Sequence, residues 1–377
     1  MTAIEVKSRN IQESTSKMLW GVSAGICEFK GCSACLFEHH VTKENVNLAQ
    51  RAHIYAFSEG GKRYSRLVPK KKINDIDNLM LVCGSCHDLI DSTDTNYSAE
   101  KLLAMKKEHE ERIRLLVSIK PNYQSEVIIY NCNIGDKPVR INAFQATESI
   151  IPEYYPARKK PINLSPNLKL YDYEKEYWNT MDSHLCRSFE QYEASLGDKH
   201  ISLFAVAPQP LLFRLGILLN RHYNVATMQP QGNIALWRWR EEVQTVELDI
   251  IAPLQKKVCD RAAMTFEITA PLSDEELKAL FHDQPAYRIV ARNFTPDAIK
   301  SKADLAAVIE KYRIVLNQIR KECAPNVEIS LFPIAPPSIS VEAGRQLMKG
   351  DPRITIYDRK QDTKIWEPAL TFHKEGE

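Results

Sequence analysis

The hydrophobic pattern changes character along the chain, and each change predicts a different kind of structure. Residues 20–90 are rich in Cys, His, Gly and Lys and show little periodicity, which is typical of a small fold built around a metal. Residues 98–118 carry apolar side chains at helical spacing, and Ser98 as N-cap predicts a helix that ends before Pro121. The next segment, VIIYNCNIGDKPVRIN, has two extended runs around a Gly-Asp pair and predicts a hairpin. The four prolines of residues 151–170 predict a linker.

Beyond about residue 172, helical and extended patterns alternate. The extended runs include HISLFAVAP, TFEITAP, AYRIVARNF, VEISLFPIAP and RITIYDR, and the helical runs include LLFRLGILLNRHY and DLAAVIEKYRIVLNQIRKE. This alternation predicts an α/β sheet covered by helices. It contains one repeat, because LFAVAPQPLLFRLG (203–216) aligns with LFPIAPPSISVEAG (331–344) at an offset of 128 residues. Each copy predicts a strand, a proline-marked turn and a helix, and we interpret the pair as an internal duplication.

Length and composition limit the classes of protein that fit. A chain of 377 residues predicts two or three domains, and 44% apolar with 26% charged residues predicts a soluble globular protein. The sequence contains no run of eighteen apolar residues, and its polar start lacks the apolar stretch of a signal peptide. These features predict a cytoplasmic protein without a membrane partner.

The formal net charge of +2 excludes a protein that binds nucleic acid along its whole length. Residues 1–120 hold 18 basic and 15 acidic residues, a net charge of +3, whereas the remainder holds 32 and 33, a net charge of −1. Any contact with nucleic acid must therefore be local. The nearly neutral second part shows no basic stripe and is not expected to read DNA.

Nine cysteines in a chain without an export signal argue against a disulfide framework. Two close pairs, Cys27-x4-Cys32 and Cys83-x2-Cys86, lie far apart in sequence and have the spacing of a tetrahedral structural zinc site with four thiolate ligands. Cys35 is an alternative to Cys32, because Cys32-x2-Cys35 also has knuckle spacing. The other cysteines are scattered singly and are expected to be small buried apolar residues: Cys132, Cys186, Cys259 and Cys323.

The sequence within and around the cysteine pairs resembles the HNH endonuclease family. The pattern A-H-I, followed by N-L-x-x-x-C-x-x-C-H-x-x-x-D, places His53, Asn78 and His87 at the three signature positions, and the resemblance covers about residues 20–115. It implies hydrolysis of phosphodiester bonds. By this resemblance His53 is the general base, a role that suits a side chain with an unperturbed pKa of about 6.5. Asn78 would orient His53 by hydrogen bonds, and His87 would bind a catalytic Mg²⁺.

One position departs from the family pattern. Many members carry an acidic residue or a second histidine just before the base as a further metal ligand, and here that position is Ala52. Either another group supplies the ligand, or water and phosphate hold most of the ion. The candidate groups are Glu38, His39, His40 and Asp91. A basic stretch either contacts the DNA backbone or forms a solvated loop; it contains Lys62, Arg63, Arg66 and Lys70–Lys72.

The second part of the chain has the features of a ligand sensor. In open α/β sheets, ligands bind beyond the carboxyl ends of the strands, so the two repeated units would place their turns around one shared crevice. A crevice with pseudo-twofold character suits a ligand that itself repeats, such as a cyclic oligonucleotide. In the run ALWRWR, an indole would stack on a base and an arginine would meet phosphate. The candidate contacts are Pro208, Gln209, Pro210, Trp237, Arg238, Arg292, Asn293, Pro336, Pro337 and Ser338, with Tyr154 and Tyr155 in the linker.

Residues 170–377 resemble the SAVED domain of bacterial anti-phage signalling based on cyclic oligonucleotides, through the runs LFAVAPQP, WRW, TFEIT and LFPIAPPS. Those domains resemble two fused halves of the CRISPR-associated Rossmann-like (CARF) sensor fold, which fits the internal repeat. An HNH domain followed by a SAVED domain is a known effector architecture. The predicted fold class is therefore α/β, with a zinc-stapled ββα-metal HNH domain at 1–120, a hairpin and linker at 121–170 and a SAVED domain at 171–377.

The resemblance implies a latent nuclease of the cyclic-oligonucleotide-based anti-phage signalling (CBASS) type. A cyclic di- or trinucleotide would bind the SAVED domain and favour a homo-oligomer, a dimer or a higher form. The HNH domains would then degrade double-stranded DNA with little sequence preference. Two alternatives remain open: a constitutive restriction-type endonuclease, and a zinc-stapled, ligand-responsive DNA-binding regulator without catalysis. The intact set of His53, Asn78 and His87 argues against the regulator, and the charge of −1 argues against a second part that selects sequence.

Overall fold

The computed structural model describes residues 10–92, 96–166, 176–231, 237–240, 243–253, 259–281, 284–360 and 363–373. The chain forms two compact units, Met1–Lys120 and Pro121–Glu377. Within the described part of the chain, no helix combines the length and the apolar character that crossing a membrane requires.

The first unit is a small module around one antiparallel strand pair. Its elements are α1 (Glu13–Ser23), β1 (Ala49–His53), β2 (Leu79–Cys83), α2 (Gly84–Ser92) and α3 (Ala99–Ser118), with short 3-10 turns at Lys70–Lys72 and Ile76–Asn78. β1 pairs with β2 from Ala49↔Cys83 to His53↔Leu79. Residues 79–82 are fully buried and form the centre of this unit's apolar core. The register therefore brings the end of β1 beside the start of β2.

The predicted start of α3 is confirmed. The Ser98 side chain accepts a hydrogen bond from the backbone N–H of Lys101 at 3.3 Å, which satisfies one of the unpaired donors in the first turn. The helix is tied to α1 by the buried His109, whose Nε2 donates to the Ser23 carbonyl oxygen at 3.1 Å. The two helices thus pack as one layer of the unit.

The second unit begins with a parallel sheet. Its elements are β3 (Gln124–Asn131), α4 (Ala143–Ser149), β4 (Tyr155–Pro156), β5 (Ile162–Asn163), α5 (Tyr177–Leu196), β6 (His200–Val206), α6 (Gln209–Leu218) and β7 (Val225–Met228). The strands lie in the order β4-β3-β6-β7, with β5 also on β3, and the described pairings are parallel. The central strands β3 and β6 are buried almost throughout, which explains their uninterrupted apolar sequences.

The hairpin predicted after Pro121 is wrong. Residues 124–131 form one central strand that pairs with β6 along its length, and the Gly-Asp turn closes only an isolated bridge between Ile134 and Lys137. The turn signal is real, but parallel pairing with β6 buries VIIY on both faces, whereas an isolated two-stranded hairpin would leave it exposed. Residues 121–166 are therefore part of the second unit rather than a linker, because β3, α4, β4 and β5 lie in them; residues 167–170 of the predicted linker lie outside the described residues.

A second sheet completes this unit. Its elements are β8 (Leu248–Ile251), β9 (Arg261–Glu267), α7 (Asp274–Phe281), β10 (Ala286–Ala291), α8 (Lys302–Glu322), β11 (Glu328–Ile334), α9 (Pro337–Arg345), β12 (Arg353–Arg359) and β13 (Trp366–Phe372). The order is β13-β12-β11-β9-β10-β8, with the four inner strands parallel and β13 and β8 antiparallel at the edges. α8 starts with a capping box between Ser301 and Asp304, as suits its long amphipathic sequence.

The two copies of the repeat occupy equivalent places in the two halves of this unit. β6 and β11 correspond at the offset of 128 residues, as do the starts of α6 and α9, which confirms a strand, a turn and a helix in each copy. α6 packs directly on α9, with Gly216 and Gly344 at the crossing. A methyl group on Gly216 would collide with the Val341 carbonyl oxygen, and one on Gly344 with that of Phe213. Glycine at both sites is thus what lets the two halves approach.

This crossing predicts a large effect from one methyl group. Gly216→Ala places the new group against backbone atoms that cannot rotate away, so we expect a loss of about 1–3 kcal/mol in the free energy of unfolding, as in overpacked cores. Thermal unfolding followed by circular dichroism measures the change. The control is Gly21→Ala in α1, where nothing lies within 4 Å of the new methyl group and alanine favours the helix. An unchanged unfolding temperature for Gly216→Ala would contradict the close crossing.

Candidate functional site

Four cysteine sulfurs converge in the first unit. Cys27 and Cys32 follow α1, Cys83 ends β2 and Cys86 lies at the start of α2, and their ligand atoms all lie within 4.8 Å of one another. Cys32 Sγ is 3.8 Å from Cys83 Sγ. Two cysteine pairs that meet in this way fit a structural zinc ion with four sulfur ligands. Cys35 does not belong to the group, so the geometry selects Cys32 from the two alternatives that the sequence leaves open.

The protonation chemistry of the cluster also fits a metal. Burial raises the pKa of the Cys27 thiol to about 12 and raises that of Cys86 as well, so without a cation both sulfurs would keep their protons. The backbone N–H of Cys83 donates to Cys27 Sγ at 3.3 Å, which supports a thiolate. A zinc ion would supply the positive charge that stabilises thiolates in such a buried place.

The predicted general base lies at the end of β1. His53 Nε2 is 2.9 Å from Asn74 Oδ1, a contact that the sequence analysis missed. Asn78 is 5% exposed and does not make the predicted hydrogen bond to the imidazole. Its Oδ1 accepts from the backbone N–H of Tyr55 at 2.8 Å, and its Nδ2 donates to the Tyr55 and Ile73 carbonyls at 3.1 and 2.8 Å. Asn78 therefore fixes the backbone after His53, while Asn74 contacts the ring.

Arg63 connects the base to the helix that carries His87. Its guanidinium donates to the carbonyl oxygens of Ile54, Ile90 and His53 at 2.9, 3.0 and 3.3 Å. It also pairs with Asp91 at 3.2 Å, and its side chain is only 13% exposed. Arg63 therefore mainly holds this loop to α2 rather than contacting a DNA phosphate, because protein oxygens occupy four of its five N–H donors.

His87 and Asp91 lie one turn apart on α2. His87 Nδ1 is 3.6 Å from Asp91 Oδ2, while the other carboxylate oxygen of Asp91 pairs with Arg63. At this separation the carboxylate faces Nδ1 without a hydrogen bond, and Nε2 is the nitrogen that could hold a metal. Of the other candidate ligands, Glu38 pairs with Lys43 at 3.1 Å and His39 Nδ1 lies 3.2 Å from the Thr42 hydroxyl and backbone nitrogen. The His40 ring lies beside that of His39, tilted by 42° with ring centroids 4.9 Å apart.

The exposed lysines Lys70–Lys72 form a 3-10 turn just before Asn74. Asn78 fixes the end of this segment, because its Nδ2 donates a hydrogen bond to the Ile73 carbonyl oxygen. Lys62 differs from them, because its Nζ donates to the Asp91 carbonyl at 2.7 Å and so helps to hold the end of α2. Exposed positive charge thus lies on the segment that leads to Asn74, which contacts the His53 ring.

The two proline turns of the second unit meet, as predicted, but they close on each other. Gln209 Nε2 donates to the Ala335 carbonyl at 2.7 Å, and its Oε1 accepts from the Ser340 hydroxyl. The Ser338 N–H donates to Gln229 Oε1 at 3.4 Å. The turn residues Pro208, Pro210, Pro336 and Ser338 are buried, and Gln209 and Pro337 are half-buried. None of these six side chains lines the cavities described below.

Other predicted ligand contacts are dispersed. Trp237 is buried against Phe204 with ring centroids 5.2 Å apart, so it is a core residue. Arg292 pairs with Asp249 at 2.9 Å on the surface, beside the exposed Asn293. Tyr155 donates its hydroxyl proton to the Pro121 carbonyl at 2.7 Å.

Two adjoining cavities lie at the amino ends of β6 and β7, with volumes of about 370 and 590 Å³. They share four lining residues: His200, Ala226, Trp239 and Lys302. We call the two together the sensor cavity. Tyr154 and Arg238, two of the predicted ligand contacts, also line it, and Trp239 belongs to the run ALWRWR in which an indole was expected to stack on a base. His200 and Lys302 were missed. Nothing in the local sequence distinguishes a histidine that starts a strand or a lysine that starts a helix.

The sensor cavity combines stacked rings, cations and an unpaired donor. His200 stacks face to face on Tyr154, with centroids 3.8 Å apart and an interplanar angle of 5°, and its Nδ1 lies 2.9 Å from Ser125 Oγ. Burial, with a smaller effect of Lys302, lowers the pKa of His200 to about 4, so the ring is neutral near pH 7. Trp239 Nε1 is buried and has no hydrogen-bond partner among the described residues. A buried unpaired donor in a cavity wall calls for an acceptor from a ligand or water.

Family models match both units of the chain. Residues 27–95 match an HNH endonuclease domain, and residues 185–372 match the SMODS-associated and fused to various effectors sensor domain, SAVED. No curated protein matches the chain. The predicted domain order is confirmed: an HNH endonuclease domain precedes a SAVED sensor domain in this chain. The sheet that contains β6 also includes β3, so the sensor unit of the structure starts earlier than the matched residues.

Solved structures show distant likeness to Cap4 SAVED/CARF-domain containing receptors. The receptor of Acinetobacter baumannii with the cyclic trinucleotide 2'3'3'-cAAA is 12% identical with a TM-score of 0.43, over 72% of this chain and 55% of the receptor. That of Moraxella osloensis is 10% identical with a TM-score of 0.39, over 77% of this chain and 64% of the receptor. The chain thus spans less than two thirds of either receptor.

The cysteine geometry predicts which substitutions release zinc. We expect purified protein to hold about one zinc ion per chain, Cys32→Ser to lose it with a lower unfolding temperature, and Cys35→Ser to keep it. Elemental analysis by mass spectrometry and thermal unfolding measure both properties. Retention of zinc by Cys32→Ser with loss from Cys35→Ser would reverse the assignment.

The Asn74 contact predicts an effect on the pH dependence of cleavage. Asn74→Ala should lower kcat about 10–100-fold, because the base loses its orientation. Asn74→Asp places a carboxylate beside the ring, which raises the pKa of His53 and should move the acidic limb of the kcat/KM profile to higher pH. The exposed Asp75 offers the control, Asp75→Ala, which should leave the profile in place. An unmoved acidic limb in Asn74→Asp would contradict a direct contact with the base.

Proposed function

We propose that the protein is a metal-dependent endonuclease that cleaves double-stranded DNA and is activated by a cyclic di- or trinucleotide. One observation carries this proposal. The same chain holds two histidines suited to act as general base and metal ligand, His53 and His87, and a cavity large enough for a nucleotide. His53 is the general base for water, oriented by Asn74 on its ring and by Asn78 and Arg63 on its backbone.

The proposed metal position rests on His87. His87 Nε2 would hold one divalent cation, Mg²⁺ in our proposal, while Asp91 lies 3.6 Å from Nδ1 on the other side of the ring. When bound, the cation would stabilise negative charge on the scissile phosphate and the leaving oxygen. The position before the base is Ala52, so we expect water and phosphate to supply most of the other ligands.

Double-stranded DNA is the proposed substrate because positive charge lies beside the site without a sequence-reading element. The exposed Lys70–Lys72 turn is suited to phosphate contacts, which give affinity without base specificity. The second unit carries a net charge close to zero, which disfavours a role in reading sequence. We therefore expect cleavage with little sequence preference.

We place the activating ligand in the sensor cavity rather than at the proline turns. Polar atoms of the turns are already engaged with each other, whereas the cavity offers Lys302 for phosphate and an unpaired Trp239 N–H for a base acceptor. Arg238 also lines the cavity, but its Nη2 already donates to the Ile151 carbonyl at 2.9 Å and the Glu148 carbonyl at 3.5 Å, so only its other N–H groups are offered to phosphate. The neutral His200 and Tyr154 rings offer a stacking surface for a base. The volumes of about 370 and 590 Å³ fall in the range of small-ligand sites.

Activation by a ligand sets an energetic requirement. A shift from roughly 1% to 99% active protein needs a ligand that binds the active state about 10⁴-fold more tightly, or about 5.5 kcal/mol. We propose that self-association, as a dimer or a higher homo-oligomer, contributes to this difference. A constitutive nuclease and a DNA-binding regulator without catalysis are the alternatives that the experiment must separate.

Plasmid cleavage with Mg²⁺ and a panel of cyclic di- and trinucleotides tests the proposal. We expect degradation only with a matching ligand and loss of activity in His53→Ala. Cleavage without any ligand would support the constitutive nuclease. DNA binding without cleavage under every condition would support the regulator.

The same assay locates the ligand. Lys302→Ala removes a cation from the sensor cavity and should raise the ligand concentration for half-maximal activation at least about 10-fold, the effect of about 1.4 kcal/mol. Arg292→Ala is the matched control, because Arg292 is an exposed cation away from the cavity, and it should change this concentration less than about 2-fold. Isothermal titration calorimetry with His53→Ala protein measures binding independently of cleavage. A large effect from Arg292→Ala with none from Lys302→Ala would overturn the placement.

A further inference from the structure

Cys259 and Cys323 were expected to be isolated, buried cysteines, but they lie next to each other and are only half-buried. Cys259 Sγ lies 3.1 Å from Cys323 Sγ, and both residues are half-buried. Cys259 stands just before β9, and Cys323 caps the C-terminal end of α8. They are separated by 64 positions in sequence, so tertiary folding alone brings the two thiols together.

The backbone holds this pair in place. The Ala324 N–H donates to the Cys259 carbonyl at 2.9 Å, and the Glu328 N–H donates to the Asp260 carbonyl at 2.8 Å. These two bonds fix the chain next to each cysteine. A disulfide requires a sulfur separation of about 2.05 Å, so a change of about 1 Å at the side chains closes the gap.

We propose that Cys259 and Cys323 are a reversible oxidation site that forms an intramolecular disulfide with a hydroperoxide such as hydrogen peroxide. The Cys259 thiolate attacks one peroxide oxygen, the O–O bond breaks, and a sulfenic acid and water result. The Cys323 sulfur then attacks Cys259 Sγ, and the hydroxyl leaves as water with the remaining proton. The two sulfurs lose two electrons, and the peroxide gains them in forming two water molecules.

The surroundings of Cys323 indicate which of the two sulfurs reacts with the peroxide first. Burial, with the contact from Cys259, raises the pKa of Cys323 to about 12, and the Tyr287 hydroxyl lies 3.9 Å from its sulfur. Cys323 is therefore the poorer first nucleophile and acts as the resolving thiol. Among the described residues, the other titratable groups that act on Cys323 are the Tyr287 hydroxyl and the Glu322 carboxylate, which accepts from that hydroxyl at 2.9 Å.

The bond would link two elements of the sensor unit. β9 is an inner strand of the second sheet, and α8 carries Lys302 of the sensor cavity at its other end. Oxidation would thus anchor the C-terminal end of α8 to the strand beside which it ends. The inference goes beyond the proposed nuclease function, since neither DNA nor a cyclic nucleotide takes part in it.

Peptide mapping of the full-length, zinc-loaded protein tests the proposal. After graded hydrogen peroxide and N-ethylmaleimide, trypsin should release peptides 258–261 and 322–345 joined, two hydrogens lighter than their sum, and dithiothreitol should separate them. Oxidation should also raise the unfolding temperature by several degrees, because the closed loop restricts the unfolded chain.

Two variants make the result specific. Cys259→Ser should abolish both the joined peptide and the rise in unfolding temperature. Cys186→Ser, at another half-buried cysteine, should leave both unchanged. If N-ethylmaleimide still labels both Cys259 and Cys323 at peroxide doses that oxidise other cysteines, the two thiols have stayed reduced. That result would overturn the proposal. A disulfide from Cys259 to a different cysteine would overturn it as well.

Discussion

The meeting of four cysteine sulfurs is the constraint on which the nuclease unit depends. Cys83 and Cys86 fix the turn from β2 into α2, and that turn sets the direction of His87. Asp91, one turn further, joins His87 to Arg63, which in turn holds the His53 carbonyl. A small unit with a limited apolar core would gain rigidity from a zinc ion bound by these four sulfurs. The proposed base His53 and the proposed metal ligand His87 are therefore positioned by one connected set of contacts.

The sensor unit depends on a contact of a different kind. Gly216 and Gly344 let α6 and α9 approach at backbone distance, and the two halves become one body through that crossing. The close approach has a consequence for binding, because the same packing brings Gln209 against Ala335 and closes the turns. Space remains instead at the amino ends of β6 and β7, where α8 of the second half faces the first sheet. The pseudo-twofold repeat thus shapes the unit without itself forming the open cavity.

The sequence predicts most reliably where a local rule fixes the answer. Cysteine spacing, the Ser98 cap and the strand–turn–helix repeat each depend on neighbours in sequence, and the structure contains all three. Asn74, Arg63 and Lys302 could not be found in this way, since their roles arise from residues far away in the chain. The misplaced hairpin shows the same limit, because the partner of β3 is β6, more than sixty positions on.

The charge of the sensor unit does not oppose an anionic ligand. Its net charge is close to zero, but the potential that a ligand meets is local. Lys302 lies 3.5 Å from Glu153 with both side chains more than half exposed, and such surface pairs contribute little stability. A phosphate can therefore compete for Lys302 at small cost, whereas Arg292, held by both Asp249 and Glu247, has its charge already compensated. The affinity of a surface for an anionic ligand thus depends on whether its cations are already paired with carboxylates. The number of cations alone does not determine that affinity.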